Sequence, residues 1–349
     1  MFQGSGAQGG GILVGSTASL ALNNSLVTSN AASTCPAFCG GGVKLLGVVT
    51  VNNSTISSNH GGGLHNDEGI LTLNNTQVLD NTGGYGVAAR SGGYLYFTGG
   101  SVNNNQGGGI YIKDAHAPTL TNLTISGNTL GGGLHNESSA LMTPSNFTLT
   151  DSVVTLNGAT SGGGVLNMGV GASATIRNTT LSYNTATSGG GVYNRTTLSL
   201  LNLTLYGNSA SGTDTGGNIY NDGDSLAIKN TIVAGAGAGG NCFSNSGVIN
   251  SGGHNLESTD TCGLAGTGDL VNTNPLLGPL QDNGGLTHTH ALSVSSLAVN
   301  GGDNSGCPAT DQRGVARPQG AACDIGAYEY IFDGPVDPFQ IHLPLAYSG

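Results

Sequence analysis

The sequence predicts an all-β chain, a right-handed parallel β-helix of about ten coils, and three observations carry that prediction. A glycine-rich hexad recurs through most of the chain, as in Gly61–Asn66 and Gly131–Asn136 (both GGGLHN), Gly162–Asn167 (GGGVLN), Gly189–Asn194 (GGGVYN) and Gly216–Asn221 (GGNIYN). Counting looser copies at Gly9, Gly40, Gly83, Gly107 and Gly239, successive starts lie 31, 21, 22, 24, 24, 31, 27, 27 and 23 residues apart. A period in the twenties that tolerates insertions is the mark of a solenoid, in which each repeat packs only on its neighbours. Between hexads, apolar residues alternate with Thr or Ser, as in Leu120–Asn128 and Ile176–Asn184. That is strand periodicity with β-branched support. Asn and Gly punctuate the strands and supply the left-handed conformations of tight bends.

Three short strands per turn, stacked at about 4.8 Å, make ten coils a rod roughly 45 Å long. Crossover chirality makes it right-handed. Alternation places Val43, Leu64, Ile110, Leu134, Val165, Val192 and Ile219 in one inward column. Asn59, Asn81, Asn128, Asn157, Asn184 and Asn208 should form a second column at a bend, their amides bonding one another and the turning backbone. Insertions at 31–39 and 137–147 should project as loops. The sequence opens inside a coil with no signal peptide, so the first coil is expected to be preceded by a missing segment or covered by a partner.

Composition narrows the function classes. The chain has 349 residues with 63 Gly, no Trp and 8% charged residues, against roughly 25% in an average globular chain. The net charge is −11 with only eight Lys plus Arg. No basic patch is expected from so few cations, which argues against nucleic acid as a partner. No apolar run is long enough to span a membrane. Six cysteines fall in sequence-local pairs, Cys35 with Cys39, Cys242 with Cys262 and Cys307 with Cys323, without the spacing of a zinc or redox motif. An even, locally paired set points to three disulfides and an extracellular or cell-surface location. Buried free thiols are the other reading.

The repeat rhythm ends near residue 250. Residues 1–250 therefore read as the β-helix, 251–331 as a C-terminal cap over the last coils, and 332–349 as a Pro-containing tail. Within the cap, Arg313 and Arg317 should pair internally with Asp311 and Asp324. Cys242, inward in its hexad, would staple the last coil to the cap through Cys262.

The pairing of GG-x-[ILV]-x-N with a strand that ends in Asn, over residues 9–245, resembles the repeats of bacterial polymorphic outer-membrane proteins, which implies a surface adhesin. Asn274–Leu280 (NPLLGPL), Asp282–Gly285 (DNGG), Thr289–Leu292 (THAL), Asp311–Gly314 (DQRG) and Asp324–Glu329 (DIGAYE) resemble the choice-of-anchor Q domain. Ser296–Asn300 (SLAVN) departs from that family's S-P-A-I-D pattern. The resemblance implies an exported surface protein; it does not imply an enzymatic reaction.

Candidate chemistry is sparse. A β-helix lyase needs clustered carboxylates around Ca²⁺ and a basic Arg or Lys, and a hydrolase needs paired carboxylates. The chain offers Asp214, Asp222 and Asp224; an Asx-Gly turn also explains the cluster Asn221-Asp222-Gly223-Asp224. Asp67 and Glu68 with the same aspartates are the candidates for Ca²⁺. No other cofactor is indicated. One residue past each inward aliphatic, alternation puts Lys44, His65, Tyr111, His135, Leu166, Tyr193 and Tyr220 on the outer surface of one sheet. Such side chains can stack on sugar rings and bond hydroxyls, or can simply stabilise an exposed sheet by cross-strand stacking. Asn23, Asn53, Asn74, Asn122, Asn178 and Asn202 lie in Asn-x-Ser/Thr triplets that the repeat itself explains. The reading is a structural or adhesive surface protein, possible partners being polysaccharide or neighbouring subunits. The alternatives are a polysaccharide lyase or hydrolase and a subunit of an extracellular filament.

Overall fold

The computed structural model describes residues 5–6, 9–32, 40–139, 144–212, 214–223 and 225–332. The chain is a right-handed parallel β-helix, and the described residues form no helix. Its first face is a ten-stranded parallel sheet running from Ile12–Val14 to Cys242–Ser244. The register aligns Ile12, Val43, Leu64, Val87, Ile110, Leu134, Val165, Val192, Ile219 and Cys242. This is the inward column that alternation predicts, extended at both ends and completed by Val87 between Leu64 and Ile110. The second and third faces meet at a corner that three coils cross as single bent strands, Ile70–Leu79, Tyr94–Asn103 and His116–Ser126.

A polar ladder lines the bend after the third face. Each Asn donates its side-chain amide to the next Oδ1 along Asn30, Asn59, Asn81, Asn105, Asn128, Asn157, Asn184 and Asn208, at 2.8–3.0 Å. The same oxygens accept the backbone N–H of the preceding Asn. Burial is complete or nearly so, which such groups tolerate only when bonded. The ladder also explains the hexad's last glycine. A Cβ on Gly191 would lie 3.0 Å from the Asn208 amide and 2.5 Å from the Asn218 carbonyl oxygen. In the next coils that glycine becomes Asn218 and Asn241, and their side chains continue the ladder, Asn208 to Asn218 at 2.8 Å and Asn218 to Asn241 at 3.0 Å.

The C-terminal region does two different jobs. Cys262 and Leu264 join the apolar core at the end of the rod, and the Cys242–Cys262 disulfide ties them to the last hexad. The buried Glu257 carboxylate satisfies the turn there, accepting from Thr259 Oγ1, from Thr261 N and Oγ1, and from Cys262 N. Residues beyond 274 do not sit on the end. They fold back along the outer surface of the third face: Gln312 bonds Thr180, His290 bonds Ser182, Ala327 N–H donates to Thr204, and Asn230 donates to the Asp303 carbonyl. The expected cap is thus an end plug followed by a side cover. Asn178 and Asn202 lie beneath that cover, 4% and 0% exposed, and cannot accept a glycan in the folded chain.

A second disulfide joins Cys307 and Cys323 in the cover. Cys35 and Cys39 lie outside the described residues, as does most of the tail. Arg313 pairs with Asp311 at 2.7 Å, as expected. Arg317 instead takes Glu329 as its carboxylate partner at 3.2 Å and reaches only the backbone carbonyl of Asp324.

Candidate functional site

Inward packing of the aliphatic column turns every flanking side chain outward, so the first face carries two outer columns. One holds Leu13, Lys44, His65, Ala88, Tyr111, His135, Leu166, Tyr193, Tyr220 and Phe243. Two residues on along each strand or bend stand Asp67, Arg90, Lys113, Glu137, Met168, Arg195 and Asp222. Four of the chain's eight Lys and Arg side chains, Lys44, Arg90, Lys113 and Arg195, therefore collect on this surface. Asp67, Glu137 and Asp222 interleave with them, so the surface is of mixed sign and not a basic patch.

The row divides into two parts separated by Leu166 and Met168. In the first, His65 and Tyr111 are only 3% and 4% exposed. Tyr85 covers this part from the glycine bend, stacking on Tyr111 with ring centroids 4.8 Å apart and placing its hydroxyl 2.9 Å from His135 Nδ1. Tyr111 donates to Glu137 Oε2 at 2.7 Å, and Lys113 donates to Glu137 Oε1 at 2.8 Å. Lys44 and His65 each lie 3.3 Å from Asp67. Burial raises Tyr85 to about 12 and, together with the Glu137 bond, raises Tyr111. The bond from His65 holds Asp67 near 2 against its burial, with the charges of Lys44 and Arg90 assisting. Burial works to raise Glu137, but the bonds from Lys113 and Tyr111 outweigh it and the carboxyl is lowered.

Burial also lowers His135 to about 4, so its imidazole is neutral at physiological pH. The unfolded imidazole binds a proton near pH 6.5 and the folded one does not. Stability from this group is therefore present above pH 6.5 and is lost as pH falls from about 6.5 toward 4. Urea unfolding of His135→Gln should show a shallower loss over that window than the wild type; an unchanged slope would contradict the assignment.

The second part is more open. Tyr193 and Tyr220 stack with centroids 4.9 Å apart and 19° between planes, and Phe243 continues the stack at 5.7 Å. Because the rings stack along the rod axis, their faces are used on each other, and edges and hydroxyls point outward. Asp222 accepts from Asn245 Nδ2 at 2.8 Å and Ser246 Oγ at 3.2 Å, with Arg195 Nε at 3.4 Å and the Tyr193 hydroxyl at 3.5 Å. Burial, then Asp222, raises Tyr193, and the same two causes raise Tyr220.

Asp214 is exposed in the loop before Gly216, and Asp222 follows the strand Ile219–Asn221, so the strand stands between them. Asp224 lies outside the described residues. Among the described residues, no three His, Cys, Asp or Glu side chains converge as a metal site, and no helix is long and apolar enough to cross a membrane. Alternation located the first outer column. The charged column is visible in the sequence three residues past each inward aliphatic, a position the strand reading stopped short of. Tyr85 carries no local signal, because its partner His135 lies fifty residues away.

A family described as right handed beta helix region matches residues 41–199. Among solved structures, the crystal structure of pectate lyase Pel9A is similar to this chain at 14% identity, covering 93% of this chain and 89% of that one, with a TM-score of 0.36. No curated protein matches.

Proposed function

We propose that this protein is an exported, non-catalytic structural or adhesive solenoid that holds polysaccharide along the outer surface of its first face. One observation carries the reading: the half-buried Tyr193–Tyr220–Phe243 stack runs along the rod axis beside Arg195 and Asp222. Each coil advances about 4.8 Å, so equivalent polar edges recur at intervals close to one sugar residue of an extended glycan. Ring edges, phenol hydroxyls, a guanidinium and a carboxylate together match a hydroxyl-rich ligand. Contact is through edges and hydroxyls, since the ring faces are occupied by one another. The two disulfides fit an oxidising, extracellular setting, and the resemblance of residues 274–329 to the choice-of-anchor Q domain fits surface export.

The test is binding of the wild type and the Tyr193→Ser/Tyr220→Ser double variant to a polysaccharide array. The reading expects the wild type to bind and the variant to lose about tenfold or more, the size of one or two hydrogen bonds. Unchanged binding by the variant, or no binding by the wild type, would overturn it.

A further inference from the structure

Beside this stack the rod has a notch of about 490 Å³, lined by Met168, Val170, Gly171, Ser173, Arg195 and Thr197. Ligand pockets span roughly 300–1,000 Å³, so the notch suits one or two sugar rings. It arises from unequal coils. The strand Val165–Val170 runs three residues beyond Asn167, paired with Ser138 and Ser139 of the coil before it. The next strand stops at Asn194 and turns at once through Arg195 and Thr196. The longer coil overhangs the shorter, leaving Val170 72% exposed on the rim.

Arg195 is 50% exposed at the notch. Its Nε faces Asp222 at 3.4 Å, and its terminal nitrogens make no side-chain hydrogen bond among the described residues. Asp222 is already served by Asn245 and Ser246 and does not depend on Arg195 alone. A planar fork of donors beside a concave, partly apolar wall is the arrangement that recognises a carboxylate on a ring. Val170 and Met168 offer the wall, and the exposed Thr197 adds a hydroxyl.

We infer that the notch is a subsite for an acidic sugar, with the Arg195 guanidinium binding the carboxylate of a uronate residue in a polysaccharide lying along the first face. This rests on the polysaccharide reading above and adds to it the charge of the ligand. The probe is alginate against its propylene-glycol ester, which blocks the carboxylates, measured by affinity electrophoresis with the wild type, Arg195→Gln, Arg195→Lys and the Tyr193/Tyr220 double variant. The wild type should bind alginate at least tenfold better than the ester, Arg195→Gln should abolish that preference, and Arg195→Lys should restore part of it. Equal binding of alginate and ester by the wild type, or a preference that survives Arg195→Gln, would overturn the subsite while leaving the polysaccharide reading standing. Loss of no binding in the double variant would instead count against the polysaccharide reading, and with it the subsite. A thermal melt of Arg195→Gln matching the wild type would show that the loss is not unfolding.

Discussion

Asn157→Ala will cost about 3–5 kcal/mol, because it strips several buried polar groups of partners at about 1–3 kcal/mol each. Asn157 sits mid-ladder and donates to the Ile125 carbonyl and to Asn184 Oδ1. Its own Oδ1 accepts both the backbone N–H and the side-chain amide of Asn128. Alanine removes these bonds and interrupts the chain between two halves of the rod. Asn157→Asp, nearly the same size, should be at least as damaging, since its second oxygen would face the Ile125 carbonyl and Asn184 Oδ1. Asn52→Ala is the contrast: it joins a solvent-accessible, half-buried ladder, bonded to Asn23 and Asn74, and should cost no more than about 1 kcal/mol. Urea unfolding followed by circular dichroism compares the three. A loss below about 1 kcal/mol for Asn157→Ala would mean that the ladder is ornament and the aliphatic columns alone hold the coils.

The second large effect lies in the side cover. Arg317→Met should destabilise its attachment by about 3–5 kcal/mol, the usual result of leaving a buried charge without its partner. The Arg317 side chain is fully buried, paired with Glu329 and donating to the carbonyls of Asp324 and Gly326. Asp324 lies in the same pocket, raised to about 7 by burial and then by Glu329, and burial raises Glu329 as well. Removing the guanidinium exposes these acids to each other. Because this region bonds the third face at Thr180, Ser182, Thr204 and Asn230, its loss should uncover that face. Hydrogen exchange should then rise between residues 178 and 234 with the first face unchanged. Wild-type protection there in Arg317→Met would contradict the assignment.

Much of this fold is legible because it is local. Inward aliphatics, bends and the Asn ladder repeat every coil, so one hexad and one strand predict the rest. Asn30 and Asn105 escaped only because their repeats are irregular. The path of residues 274–332 was not legible. Its contacts to the rod span 73 to 136 residues and follow no period. The choice of Glu329 for Arg317 has the same origin, since Asp311, Asp324 and Glu329 are all near in sequence and only packing selects among them. At the candidate site, alternation gives which side chains face out, but covering by Tyr85 decides which of them solvent can reach. Tyr193 and Tyr220 stay accessible because, among the described residues, no corresponding ring lies over them; Tyr111 does not.

The measurement that bears most directly on the polysaccharide reading is hydroxyl-radical footprinting of the protein with and without the best-binding array polysaccharide. Tyr193, Tyr220 and Phe243 should be protected together, while the exposed Tyr94 and Tyr96 of the second face keep their reactivity. Protection of Tyr94 and Tyr96 with Tyr193 and Tyr220 unchanged would place the ligand elsewhere and contradict the account.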